Sequence, residues 1–82
     1  AMAPDVQWAL VVDPYSAFRK EASWTAEVIG HCRKGEIFQV QGASFDEERE
    51  LWFDFTFGWL PAGSVEVYSN KFKAETAASL LK

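Results

Sequence analysis

The sequence predicts an all-β domain: a small barrel of five short strands made from two orthogonal sheets, with a short C-terminal α-helix. Three observations carry that expectation. Residues 51–57 alternate without interruption, with Leu51, Phe53, Phe55 and Phe57 on one face and Trp52, Asp54 and Thr56 on the other, the period of a half-buried strand. Residues 8–12 and 37–41 are runs of β-formers that stop at Asp13-Pro14 and at Gly42. Residues 71–82 change to Ala, Leu, Lys and Glu with neither Gly nor Pro, a helical composition.

Taken in order, residues 8–12 (Trp-Ala-Leu-Val-Val) form the first strand, and Pro14, which cannot donate to a ladder, ends it. Residues 15–25 mix Tyr15, Phe18 and Trp24 with Arg19, Lys20 and Glu21 at neither period, so a long excursion packed by its own aromatics is expected. A short apolar patch, Val28-Ile29, closes at Gly30, and Arg33-Lys34-Gly35-Glu36 reads as a turn into the strand at 37–41. Residues 43–50 carry four acids against Arg49, a net charge of −3, and are expected to be an exposed loop. Gly58 breaks the alternating run, Trp59-Leu60 resumes it, and Val65-Glu66-Val67-Tyr68 supplies the last strand. Ser69-Asn70 can cap the terminal helix, whose Phe72 is expected to dock on the barrel while the far end frays or leads on as a connector.

Eighty-two residues supply core for a single domain, and 49% hydrophobic residues with 13 aromatics exceed what a disordered chain carries. Residues 1–7 read as a cloning remnant and linker, 8–68 as the barrel and 69–82 as the helix or connector. The formal charge of −4 leaves little to pair with phosphates, which excludes nucleic acid as the expected partner. No apolar run approaches the roughly 18 to 20 residues that span a bilayer, so no membrane insertion is expected. The segment carries no targeting signal that assigns a compartment.

Chemistry-bearing residues are sparse. One cysteine, Cys32, closes no intrachain disulfide, and with the single histidine, His31, it cannot build a four-ligand zinc site. Adjacent on a strand, these two side chains point to opposite faces and cannot act as nucleophile and base, so Cys32 is expected to be a small buried apolar residue and His31 a surface one. The pair Glu47-Glu48 has nothing near it in sequence that would bury it or push two carboxylates apart in pKa. The acidic run also lacks the alternating oxygen ligands and the glycine of a calcium loop. No catalytic residue, metal or cofactor is therefore assigned.

The motifs resemble a known family. The steps Ala17-Phe18-Arg19, Glu27-Val28-Ile29-Gly30, Lys34-Gly35-Glu36, Trp52 and Gly58-Trp59-Leu60, in this order, resemble the bacterial-type SH3 (SH3b) family. The second half also resembles eukaryotic SH3 domains, where a Lys-Gly-Glu turn precedes a strand, a Trp follows the acidic loop and a Gly-aromatic-apolar-Pro step leads to a final Val, here Gly58 to Val65. The resemblance implies an SH3-like barrel over residues 8–68. Departures are specific: Ala9-Leu10-Val11-Val12-Asp13 lacks the first groove tyrosine, Ser64 stands where a second would be, and the interval from Trp52 to Gly58 is short, as though residues 51–57 turn tightly near Asp54 to Thr56. Polyproline recognition by the usual groove therefore does not transfer whole.

Aromatic residues are the functional signal. Each Trp brings about 150 to 250 Å² of surface, and four exceed what one small core encloses. Some must therefore face out, and Trp52 is the best candidate, since alternation sets it opposite the Phe53-Phe55 core face, next to the acids Asp46, Glu47, Glu48 and Glu50. Pro61 matches the proline that floors the eukaryotic groove; Trp24 with Tyr15 is expected to form the other wall, Trp59 is a further candidate, and Phe45 can cap the cleft. These residues predict a non-enzymatic protein-interaction module of a larger protein, monomeric as a fragment, that takes a peptide or partner loop, with a Lys or Arg anchored in an aromatic, acid-rimmed groove. The alternatives are a cell-wall or glycan-binding domain, as bacterial-type SH3 domains attached to wall hydrolases are, and a structural domain that packs on a neighbour.

Overall fold

The computed structural model describes residues 6–81; of the expected remnant and linker at 1–7, residues 1–5 lie outside the described residues, as does the final Lys82. In chain order the elements are β1 (Trp8–Val11), β2 (Tyr15–Arg19), β3 (Val28–Arg33), β4 (Ile37–Gln39), β5 (Gly42–Phe45), β6 (Leu51–Phe55), β7 (Gly58–Pro61), a 3-10 turn (Ala62–Ser64), β8 (Val65–Tyr68) and α1 (Lys71–Ser79). All pairings are antiparallel and form two sheets, one ordered β4-β1-β8 and the other β3-β2-β7-β6-β5.

The expectation of an all-β architecture with a C-terminal helix holds, whereas the five strands become eight and the closed barrel becomes two separate sheets. The excursion at 15–25 begins as a strand, because β2 pairs with β3 from Tyr15↔Arg33 to Arg19↔Val28 and buries Ser16 and Phe18 on one face. Residues 43–45, expected in the acidic loop, pair with β6 together with Gly42, and the acids begin only where the strand ends. Residues 51–57 and the pair at 59–60 are the two arms of one hairpin that turns at Thr56-Phe57, just after the tight turn expected near Asp54 to Thr56. Gly58 is required there by close approach: a Cβ on it would stand 2.8 Å from the Cβ of Phe18.

The core lies between the sheets. Ala9 and Val11 of β1 meet Phe18, Cys32, Phe55, Leu60 and Val65, with Phe38, Val40, Phe53 and Val67 packed against them. Phe18 sits edge-on to Phe38, Phe55 and Phe57 at centroid distances of 5.4, 6.1 and 4.9 Å, the arrangement that ring quadrupoles favour. The expected core face of Phe53 and Phe55 is thus observed.

The other face of β1 is covered by α1. Leu10 is fully buried, and α1 brings the fully buried Ala74 to that side of the sheet. Asn70 caps the helix, its Oδ1 accepting from the Lys73 N–H at 2.7 Å. Phe72, expected to dock, is instead 76% exposed. Close approach of helix to strand needs small residues, so the alanine side faces inward and the large Phe72 and Leu80 face outward.

Candidate functional site

The site is built where the loop that joins β2 to β3 (residues 20–27) meets the acidic loop that joins β5 to β6 (residues 46–50). Asp46 organises the second loop: its Oδ1 accepts from the backbone N–H groups of Glu48 and Glu50 at 2.8 and 2.9 Å. Arg49 takes the left-handed conformation, φ 64°, that lets the chain return into β6. Asp46 Oδ2 accepts from the indole N–H of Trp52 at 2.9 Å. That bond, with the backbone donors of Glu50 and Glu48, holds the Asp46 carboxyl below the usual carboxylate range.

Trp52 is where sequence reasoning is corrected. It points away from Phe53 and Phe55, as alternation requires, yet it is fully buried rather than exposed. The opposite face of β6 is covered as well, because Trp24 packs on Trp52 edge-on at 4.9 Å between centroids. Pro61, its register partner on β7, is also buried. Trp24 is anchored by an indole N–H donated to Glu50 Oε2 at 2.6 Å and lies beneath the Arg19 guanidinium, 5.8 Å from its ring centroid. Arg19 in turn donates to the Ala26 carbonyl at 2.9 Å, which holds the loop in place. The two indoles thus donate to two carboxylates of the same acidic loop and join it to the first loop.

Trp24 remains 49% exposed and separates two depressions. One, about 380 Å³, is lined by Asp13, Trp24, Glu50, Pro61, Gly63 and Ser64. The other, about 100 Å³, is lined by Ser23, Trp24, Thr25, Asp46, Glu47 and Glu48. The expected site residues therefore divide. Trp24, Pro61, Asp46, Glu47, Glu48 and Glu50 come together along this seam, with Trp52 beneath it as support. Tyr15 does not form the second wall; it stacks on His31 at 5.0 Å and lines neither depression, and Trp59 is half-buried on β7 opposite Arg19 and Asp54.

Sequence reasoning missed Asp13 and Ser64 as lining residues. Ser64 is buried, donates to Asp13 Oδ2 at 2.8 Å and accepts from the Ser16 hydroxyl at 3.2 Å. A small hydroxyl where a tyrosine was expected leaves the larger depression open and fixes the Asp13 carboxylate at its edge; the Asp13-Pro14 break was the available signal. Cys32 is 2% exposed, and burial, with Glu36 and Asp13 adding to it, pushes its thiol up to about 11. His31, beside it on β3, faces solvent.

Residues 9–81 match the family described as the Treponema TP0069 SH3-like domain. An uncharacterized protein of Treponema pallidum (strain Nichols) is 36% identical over 78 residues, which cover 92% of this chain and 44% of that protein. The chain thus spans less than half the length of that relative. No solved structure matches it. Architecture and sequence agree, and the chain belongs to the Treponema TP0069 SH3-like domain family.

Proposed function

We propose that this domain is a non-enzymatic protein-interaction module that takes a peptide or partner loop carrying Lys or Arg along the seam between residues 20–27 and 46–50. The observation that supports it is the half-exposed Trp24, held rigid from below by Trp52 and from the side by Glu50, with carboxylates of Asp13, Glu50, Glu47 and Glu48 in the depressions on either side. A fixed aromatic ring offers contact area at low entropic cost, and the surrounding carboxylates favour a cationic side chain placed on it. The acids also raise the encounter rate with a basic partner, in a salt-dependent way. Affinity is modest, because such a shallow seam buries less than the about 1,200 Å² of a stable interface.

Selection of a random peptide library on the immobilised domain tests the reading. Enriched peptides should carry Lys or Arg, and Trp24→Ala should weaken their binding at least tenfold in a domain shown by circular dichroism to be folded. Enrichment of nothing, or equal binding by Trp24→Ala, refutes it. Retention on purified peptidoglycan would instead favour the glycan-binding alternative.

A further inference from the structure

We propose a second interaction surface, separate from the Trp24 seam: the free edge of β5, which accepts an extended segment bearing Lys or Arg as an added antiparallel or parallel strand. β5 is the terminal strand of its sheet, paired only through β6. The ladder direction follows from the register. Asp46 donates its N–H to the Glu50 carbonyl at 3.0 Å, so the alternating residues Ser44 and Gly42, opposite Trp52 and Asp54, direct their backbone groups at β6. Ala43 and Phe45 then direct theirs outward. Among the described residues, no backbone group bonds to those of Ala43 and Phe45 on that side, and the Phe45 carbonyl meets only the Ser44 hydroxyl at 3.5 Å.

Open edges invite pairing, and folds commonly block them. The contrast with β3, the opposite edge of the same sheet, is informative. There the Arg33 N–H donates to the Glu36 carboxylate at 3.3 Å and the Arg33 carbonyl accepts from the Glu36 N–H at 3.2 Å, which closes that end of the edge. β5 has no such block: Ala43, Ser44 and Phe45 are all exposed, Phe45 to 66%.

The surroundings choose the occupant. A depression of about 430 Å³ runs beside β5, lined by Ser44, Phe45, Asp46 and Glu47 on one side and by Glu21 and Ser23 of the first loop among others on the other. Side chains of an added strand alternate between its faces, so one set lies over Glu21, Asp46 and Glu47 while the other lies beside Phe45, which alternation places on the Leu51 face. That pattern fits alternating basic and apolar residues. A second copy of this chain is disfavoured, since pairing β5 with itself brings two sets of these acids together in a protein of formal charge −4.

The probe is an acetylated Val-Lys-Val-Lys-Val-Lys peptide titrated into the isotopically labelled domain and followed by amide NMR. The expected result is shifts at the Ala43 and Phe45 amides with slowed hydrogen exchange there, and loss of binding to the Val-Glu counterpart. Ala43→Pro should weaken binding at least tenfold with the fold kept, because that N–H is outside the ladder and proline is tolerated on an edge strand. Should that variant fail to fold, N-methylation of the peptide decides with the domain unaltered: methyl groups on one alternating set of residues should abolish binding and on the other set should not. No binding at millimolar peptide, equal binding of both methylated sets, or shifts confined to the Trp24 indole overturn the proposal. The last of these outcomes leaves the Trp24 seam standing, and Trp24→Ala with unchanged β5 shifts separates the surfaces in the opposite sense.

Discussion

Replacement of Trp52 by alanine tests whether this side chain supports the site or belongs to it. The indole has no exposed surface, its N–H is committed to Asp46 and its ring to Trp24. Removing a buried Trp costs about 3 to 5 kcal/mol through lost transfer energy and the cavity left behind. A domain of this size is stable by roughly 4 to 12 kcal/mol, so Trp52→Ala should lose a large share of that and shift the urea midpoint accordingly. Trp52→Phe keeps one six-membered ring and removes the fused pyrrole with its donor to Asp46; the packing lost does not depend on pH, so the pH dependence of the difference identifies that bond. Because the Asp46 carboxyl is held low in the folded state, it contributes stability above its unfolded pKa, near 3.9, and that contribution is lost as pH falls through the lower folded value. The gap between wild type and Trp52→Phe should therefore be full at pH 6 and shrink below about pH 4. Equilibrium urea unfolding at pH 6, 4 and 2.5, read by far-UV circular dichroism, measures both effects. A loss under about 1 kcal/mol for Trp52→Ala would show that Trp52 is a surface residue and that the support described for Trp24 is wrong, and a Trp52→Phe gap that stays constant with pH would show that the bond to Asp46 is not made.

Two further outcomes are expected. Cys32, 2% exposed with its thiol pushed up to about 11, should resist iodoacetamide in the folded protein and react at once in urea; its contribution to stability is full below the unfolded thiol pKa and lost as pH rises through about 11, a slope that Cys32→Ala should abolish. Native labelling as fast as that of the unfolded chain would refute the burial. Gly58→Ala should cost about 1 to 3 kcal/mol, since the new methyl meets the Cβ of Phe18 at 2.8 Å, backbone-proximal carbon that cannot swing aside, and a thermal melt unchanged from wild type would contradict that approach.

What could be read from the sequence was local. The alternation at 51–57 located the Phe53-Phe55 face because one strand's pleat fixes which side chains share a side, and Asn70 announced its helix because a cap acts within three residues. Alternation does not report whether the second face is covered, since that depends on a loop about thirty residues away in sequence; it sets Trp52 outside, whereas Trp24 shields it. β2 carries no clear strand pattern for a related reason. Its inward residues are Ser16 and Phe18, and a buried serine satisfied by Ser64 breaks the apolar pattern that marks a strand. β5 was hidden by the acids that follow it, and Phe72 misled because size suggests burial where the closeness of α1 to β1 selects alanine. At the site, charge and aromatic surplus point to the acids and Trp24, but the seam they line and the part played by Asp13 arise from the pairing of distant loops.

The two tryptophans divide the work of this surface. Trp52 sits on a paired strand, and burial on both sides fixes its ring; Trp24 sits on a loop and takes its position from Trp52, Arg19 and Glu50 while half of its surface remains in water. Core packing beneath the seam therefore fixes the geometry of an exposed ring without requiring the loop itself to be buried. The acids beside that ring, Glu47 and Glu48, are exposed, so their substitution alters charge and shape at little cost to the fold. Substitution at Trp52, Asp46 or Pro61 alters the fold first and the surface only as a consequence. The same distinction separates the two proposed surfaces. The Trp24 seam depends on a ring held by packing, whereas the β5 edge offers backbone groups whose direction the β6 ladder already determines, and an interaction there is specified by register as much as by side chains.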